Sequence, residues 1–157
     1  MRNSRRKLRH QRGGSLIEFS LMLPWALFLF VGVFDWGFFV HALISTEDAA
    51  RVAALYAANN GGGGTTTACT LVLQEMSISA NLTGVTSPCP GPVSDTAPVA
   101  VSLTCVALDS VNGVKAAVTY RTLQLIPIPG LLTGKATLYR TAQLPISGNG
   151  SCSVTSS

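Results

Sequence analysis

The chain has 157 residues, which is enough for one modest domain, and a formal net charge of +4. Six of its eleven basic residues lie in the first twelve positions, and the rest of the chain contains five basic and seven acidic residues. The positive charge is therefore concentrated in a short arm in front of an apolar run, a pattern that sets membrane orientation rather than one that binds nucleic acid. We expect no nucleic-acid partner.

An apolar run follows the basic arm. Residues 19–34 contain no charged side chain, and Asp35 is the only interruption before the run ends. As a helix, such a run crosses the roughly 30 Å of a bilayer, and we predict a transmembrane segment over residues 19–42. The positive-inside rule keeps residues 1–13 in the cytoplasm and places the rest of a single-pass chain in the periplasm of a bacterial inner membrane.

Glu18 lies at the start of this run, although lipid disfavours a carboxylate by about 2.5 kcal/mol or more at mid-membrane. If a peptidase cut after Gly13, the new amino group on Gly14 would carry a positive charge one helical turn from Glu18. The two charges would then neutralise each other, within one chain or between neighbouring subunits. The alternative is an interfacial acid just outside a shifted membrane span.

The helix is predicted to begin near Ser15 and to continue beyond the membrane to Ala58, where residues 59–61 (Asn-Asn-Gly) end it. Pro24 removes one backbone hydrogen bond and is expected to bend it. Alanines recur at three- and four-residue spacing in its second half, which permits close packing. Asp35 is either an intramembrane acid that contacts another subunit, or a residue beyond the span that already meets headgroups or water.

The residues Gly13, Glu18 and Phe19, with a basic leader ahead and an apolar helix behind, resemble the class III signal of type IV pilins. In that family a prepilin peptidase cuts after the glycine, the acid is the fifth mature residue, and the helix packs in the pilus core. The acid followed by an aromatic residue is most similar to the tight-adherence (Flp) branch. The resemblance implies a processing site at Gly13 and Gly14, and charge pairing during assembly at Glu18 and Phe19.

Two further stretches resemble the TadE-like pseudopilins of this branch. Residues 32–37 read Gly-Val-Phe-Asp-Trp-Gly, and residues 48–57 read Asp-Ala-Ala-Arg-Val-Ala-Ala-Leu-Tyr-Ala, which is similar to the Ala-Ala-Arg-x-x-Ala-x-x-Tyr-Ala stretch typical of the family. Asp35 stands where glutamate is commoner in the family, which keeps the charge but shortens the arm. The resemblance covers residues 13–58, and the remainder of the chain resembles the family only in general character.

The same resemblance marks Asp48, Arg51 and Tyr56 as a possible helix interface. Arg51 also has a simpler interpretation, as a solvated residue that pairs with Glu47 four positions earlier. Such a pair contributes only a few tenths of a kcal/mol to helix stability. The residues alone favour this simpler interpretation.

Beyond the helix we predict a linker over residues 59–67, which are rich in glycine and threonine, and an exported domain over residues 68–157. The domain is predicted to be α+β, with a short helix and an antiparallel sheet of about three strands. An Asn-Gly pair at 112–113 predicts the turn between the first two strands. The helix is predicted over residues 68–80, and the strands over residues 99–106, 114–125 and 135–146.

All four cysteines follow the membrane segment, in the compartment where disulfides form, and two disulfides are expected for so small a domain. The sequence permits three pairings. If the middle strand pairs with both others, the ends of the first and third strands meet, which favours Cys105 with Cys152 and leaves Cys69 with Cys89. A metal site is not expected, because there is no Cys-x-x-Cys and no histidine after His41.

The exported region is poor in groups that carry chemistry. Beyond residue 59 it has no histidine and only three widely spaced acids, which excludes a Ser-His-Asp triad there. The glycines at 61–64 are not followed by Lys-Ser or Lys-Thr, as a phosphate-binding loop would require. We therefore expect no enzyme, no catalytic residue and no cofactor.

The resemblance implies a minor pseudopilin that is processed after Gly13 and takes part in assembly or priming of a tight-adherence pilus. The partners it implies are a prepilin peptidase, other pilins and pseudopilins, an inner-membrane assembly platform and the lipid bilayer. The alternative is an anchored periplasmic scaffold or receptor that is never cleaved. An anchored hydrolase is disfavoured by the missing histidines.

Overall fold

The chain forms a long amino-terminal helix and a small α+β domain with a three-stranded antiparallel sheet, which confirms the predicted fold class. The computed structural model describes residues 14–79, 81–82, 85, 89, 91–109, 111–123, 135–147 and 151–154. Its elements are α1 (Gly14–Asn59), α2 (Thr65–Glu75), β1 (Val99–Leu108), β2 (Val111–Arg121) and β3 (Thr137–Pro145).

The chain divides into two compact units, Met1–Phe38 and Phe39–Ser157. In the described part of the first unit, α1 is exposed along its length, with only Val31 and Asp35 half-exposed. Pro24 lies inside α1 without ending it. This part of the helix has no protein core of its own to pack against.

The second unit contains the core, and the later turns of α1 supply one side of it. Thr46 is fully buried, and its hydroxyl donates a hydrogen bond of 2.6 Å to the carbonyl oxygen of Ala42. The small side chains on this face let the helix backbone lie close to its neighbours. The alanines that are almost completely buried are Ala49, Ala50, Ala53, Ala54 and Ala57.

The sheet has the order β1-β2-β3, and its register sorts the side chains onto two faces. Val101 lies opposite Val118, which lies opposite Arg140 on β3. One face is buried, as is usual for an antiparallel sheet that covers a single core. Its buried members on β1 and β2 are Val99, Val101, Leu103, Val114, Ala116, Val118 and Tyr120.

The turn between β1 and β2 does not lie where the sequence predicts it. Leu108 pairs with Val111, which places the reversal between these two residues, and Asp109 has a positive φ of 50°. Asn112 and Gly113 instead belong to β2. Glycine is needed there for space, because a Cβ atom on Gly113 would lie 2.5 Å from Cδ1 of Leu108.

The glycine-rich segment after α1 forms a turn that packs against the carboxyl-terminal segment 151–154. Gly61, Gly62 and Gly63 have φ values of +63°, +116° and +67°, a region that residues with a side chain rarely adopt. The N–H group of Ser153 donates a hydrogen bond of 2.9 Å to the carbonyl oxygen of Gly61. Composition predicted a flexible linker here, whereas these glycines allow a tight turn and close packing.

Two disulfides tie the domain together, and they are the pairs that the predicted strand order favours. Cys69 with Cys89 joins α2 to the segment before β1, and both residues are buried. Cys105 with Cys152 joins β1 to the carboxyl-terminal segment, and Cys105 is exposed.

Candidate functional site

The first candidate feature is the exposed apolar surface of α1. By length and composition α1 can span a membrane, and no residue in its most apolar window is buried within the chain. A helix that is apolar all round is stable in lipid rather than in water, so this helix fits a membrane anchor. Its large exposed side chains, which are 40–72% accessible, are Leu16, Ile17, Phe19, Leu21, Met22, Leu23, Trp25, Leu27, Phe28, Leu29, Phe30, Val33, Phe34, Trp36 and Phe38.

Glu18 lies at the amino-terminal end of this surface. Gly14, the residue that would become the amino terminus after cleavage, belongs to α1, and Gly14, Glu18 and Phe19 are all exposed. The four-residue spacing places the Cα atom of Glu18 about 6 Å along the helix axis from that of Gly14. Gly13 itself lies outside the described residues. An ammonium group on Gly14 would thus have a carboxylate within one turn.

Asp35 lies near the carboxyl-terminal end of the exposed surface. The rings of Phe34 and Phe38, on either side of it in sequence, meet edge-to-face with centroids 5.0 Å apart. Phe39 and Ala42 already pack in the core of the second unit. Helix α1 therefore begins to contribute to the core of the second unit at about Phe39, and the membrane span over residues 19–42 remains a prediction.

The alanine-rich stretch over residues 48–57 serves mainly the core. Arg51 is exposed, and its Nη2 atom lies 2.6 Å from Oε1 of Glu47. Because both side chains are largely in solvent, this ion pair contributes at most a few tenths of a kcal/mol. Asp48 is half-exposed, whereas the ring of Tyr56 is half-buried against Gly63. A helix interface at Asp48 and Arg51 remains a prediction.

A groove that the sequence did not predict lies between α1 and β3, and we call it the α1–β3 groove. It is open to solvent and has a volume of about 690 Å³. The one sequence signal for it is Arg140, a charged residue at an inward position of an otherwise alternating strand. Its lining residues are Glu47, Arg51 and Leu55 of α1 and Arg140, Thr141, Ala142, Gln143 and Leu144 of β3.

An ion-pair cluster holds the start of β3 to the loop before β1. The carboxylate of Asp95 lies 2.7 Å from Nζ of Lys135 and 3.6 Å from Nη1 of Arg121. The hydrogen bond from Lys135, helped by the charge of Arg121, lowers the pKa of Asp95. All three side chains are substantially solvated, so this cluster orients loops rather than forming a reactive site.

A second polar contact ties the segment after α2 to the sheet. The hydroxyl of Tyr120 donates a hydrogen bond to Oδ1 of Asn81, and Nδ2 of Asn81 donates one of 2.9 Å to the carbonyl oxygen of Arg121. Burial raises the pKa of Tyr120. Both polar atoms of the Asn81 side chain are thus used in hydrogen bonds within the domain.

Chemistry based on a metal ion finds no support in the part of the chain that the structure describes. No three histidine, cysteine, aspartate or glutamate side chains among these residues come close enough to hold a metal ion. The four cysteines are all in disulfides. Two features of the described residues remain as candidate sites. They are the charge at the amino-terminal end of α1 and the α1–β3 groove.

Comparison with known proteins finds a similarity for the amino-terminal part of the chain. The family model described as TadE-like protein matches residues 13–55, which include the exposed helix, Glu18 and Asp35. Neither the curated proteins nor the solved structures give a match. The TadE-like family is associated with the tight-adherence pilus system and is not known as enzymatic. Residues 13–55 thus resemble the TadE-like family, a similarity that is consistent with a TadE-like protein of the tight-adherence system.

Proposed function

We propose that the protein is a minor pseudopilin of the tight-adherence pilus, released from its leader by a prepilin peptidase that cuts after Gly13. One observation carries the proposal: Gly14 and Glu18 lie one turn apart on the exposed apolar part of α1. The family match begins at residue 13, which is consistent with this boundary. Cleavage there creates the cation that makes a carboxylate tolerable at the start of a membrane helix.

The helix acts as a reversible anchor in this proposal. The bilayer holds it until an inner-membrane assembly platform extracts the subunit, and contacts with the helices of other pilins then replace the contacts with lipid. Glu18 pairs with the amino group of its own or a neighbouring subunit, and Phe19 lies beside it in the packed core. Asp35, near the end of the exposed surface, supplies a second polar contact between subunits.

The domain lies in the periplasm before assembly and is displayed afterwards. Two observations support this orientation: the basic residues are concentrated in residues 1–13, and the domain contains two disulfides. A domain of this size on every subunit would crowd a uniform filament, which favours a minor or tip position. The role is structural, with no catalytic step.

The proposal is tested by blocking the cleavage. Gly13→Ala is expected to leave the precursor intact in the membrane, whereas the control Ile44→Val, at an exposed position distant in sequence from the predicted cleavage site, is expected to mature. The mass of the amino-terminal peptide of each variant reports the outcome. Normal maturation of Gly13→Ala would contradict the peptidase assignment.

A further inference from the structure

One edge of the sheet is open as far as the described residues extend. Within the described residues β3 pairs only with β2, and hydrogen bonds of 2.9 Å run from the N–H of Thr122 to the carbonyl of Ala136 and from the N–H of Ile146 to the carbonyl of Asn112. Hydrogen-bonded pairs alternate along an antiparallel ladder, so the even-numbered residues of β3 face β2. The residues of β3 whose N–H and C=O groups point away from β2 include Tyr139, Thr141 and Gln143.

The opposite edge of the sheet, on β1, is in contact with other segments of the chain. The N–H of Val101 on β1 donates a hydrogen bond of 3.3 Å to the carbonyl oxygen of Cys89, and α2 packs beside β1. An uncovered edge strand is a template for pairing with another chain. Over the described residues, β3 is therefore the edge that remains available.

The open edge forms one wall of the α1–β3 groove, and α1 forms the other. Leu55 on α1 is 55% exposed, while Ala142 and Leu144 on β3 are half-buried. All three side chains line the groove, so a segment bound there has apolar contacts available on both walls. The groove thus offers backbone hydrogen bonds on one side and apolar contacts on the other.

Arg140 gives the groove its charge. The register places it opposite Val118, at a position facing the core, yet it is exposed, and its Nη1 atom donates a hydrogen bond of 3.1 Å to the carbonyl oxygen of Tyr139. The acid in the groove, Glu47, is paired with Arg51. Among the described residues Arg140 has no carboxylate partner, so the groove carries a net positive charge.

We propose that the α1–β3 groove binds an extended segment of a second protein chain, which adds as a strand to β3 and places a carboxylate beside Arg140. Thr141 and Gln143 supply the backbone hydrogen bonds. Arg140 exchanges the carbonyl of Tyr139 for the incoming carboxylate, a stronger partner. The proposal rests on the proposed function in one respect, namely that the partner is sought in membrane and pilus fractions.

A second copy of β3 does not fit this site. Strand β3 contains no acidic residue, so a second β3 paired at this edge would bring no carboxylate to Arg140 and would add a second arginine to the groove. The complementary segment is therefore not a second β3, and we place it in a different protein, with an acid among alternating apolar residues.

The test is photo-crosslinking of the full chain in cells that assemble the pilus. A benzophenone amino acid replaces Leu55 in the groove, and in the control it replaces Ile44, which is 56% exposed on the same helix but does not line the groove. The crosslinked peptide is identified by mass spectrometry. We expect the Leu55 probe to capture a segment of another protein that contains aspartate or glutamate, and the Ile44 probe not to capture it.

Two pairs of variants test the two halves of the contact. Arg140→Glu is expected to lower the crosslink yield at least about tenfold, while Lys115→Glu, on the other face of the sheet, is expected to leave it unchanged. Thr141→Pro removes an outward N–H without breaking the ladder to β2, and is expected to lower the yield similarly. Thr141→Val keeps that N–H and should retain the yield.

Formation of both disulfides, measured by mass without reductant, verifies the fold of each variant, and the Thr141 pair decides the matter if a charge variant does not fold. Equal capture from Leu55 and Ile44, capture of a second copy of this chain, or capture that neither Arg140→Glu nor Thr141→Pro reduces would overturn the proposal. The amino-terminal mass is read from the same samples, so a failure of processing is distinguished from a failure of this contact.

Discussion

The ring of Tyr56 lies against Gly63, so closely that a Cβ atom on residue 63 would stand 2.9 Å from Cε1 of the ring. Tyr56 belongs to the last turns of α1, and Gly63, with φ of +67°, to the turn that follows. The contact fixes the direction in which the chain leaves the helix. A tyrosine that the family resemblance marks as a possible interface therefore has a structural role within the domain.

Gly63→Ala is expected to lower the free energy of unfolding by about 1–3 kcal/mol, because alanine disfavours the left-handed backbone and its Cβ atom would press on Tyr56. This free energy is measured by urea unfolding of the detergent-solubilised full chain, with unfolding of the domain monitored by its proteolysis. Gly64→Ala is the control, since residue 64 has φ of −90° and adopts an ordinary extended conformation. Equal effects of the two substitutions would contradict the role assigned to the turn.

Tyr120 is expected to make the domain sensitive to alkaline pH. Burial raises its pKa above the ordinary value of 10.0, so its neutral form contributes stability that is fully present below pH 10 and is lost as the pH rises through the folded-state pKa. Deprotonation also removes the hydrogen bond that the hydroxyl donates to Asn81. Unfolding free energies measured between pH 8 and about pH 11 test this.

Substitution separates this tyrosine from other groups that titrate at high pH. Tyr120→Phe is expected to cost about 1–2 kcal/mol at pH 8, and the difference from the wild type should shrink as the pH rises. Tyr139→Phe, at an exposed position on β3, should leave the pH dependence unchanged. A constant difference between wild type and Tyr120→Phe across the range would show that Tyr120 does not control alkaline stability.

The two disulfides should differ in their resistance to reduction. Cys69 and Cys89 are 0% and 4% exposed, whereas Cys105 is exposed and Cys152 is half-buried. Because thiol exchange requires access to a sulfur atom, Cys105–Cys152 should be reduced first. Alkylation of partially reduced protein and mass mapping of the labelled cysteines measure the order. Simultaneous reduction of both disulfides in the folded protein would contradict the burial difference.

Glu18→Val should leave membrane insertion intact but impair assembly, because it removes the carboxylate that pairs with the amino terminus. Glu18→Asp keeps the charge on a shorter side chain and is expected to retain more assembly. The amount of this protein in sheared-pilus fractions, relative to its amount in membranes, measures the effect. Unaltered incorporation of Glu18→Val would count against charge pairing.

Local patterns predicted much of this fold. The apolar run and the alanine spacing gave α1, and alternating β-branched residues gave the three strands. The turn between β1 and β2 was misplaced, because Asn112-Gly113 has the composition of a hairpin turn. Packing, and not a turn, explains the glycine at position 113. The side chain of Leu108 occupies the space that a Cβ atom there would need.

The features that sequence reasoning missed depend on contacts between distant residues. A glycine run is the same in a flexible linker and in a turn packed against Ser153, and only the folded chain distinguishes them. Likewise, Arg140 is one polar residue in a strand until the register places it at the mouth of the α1–β3 groove. The processing site at Gly13, by contrast, remains a prediction from the sequence pattern.

The central claim is that cleavage creates a cation for Glu18, and the mass of the amino-terminal peptide tests it most directly. The measurement is made on the wild-type protein purified from membranes and from sheared pili. A mature chain that begins at Gly14 is the predicted result. A protein that still carries residues 1–13 in both fractions would contradict the account and would favour the uncleaved membrane anchor.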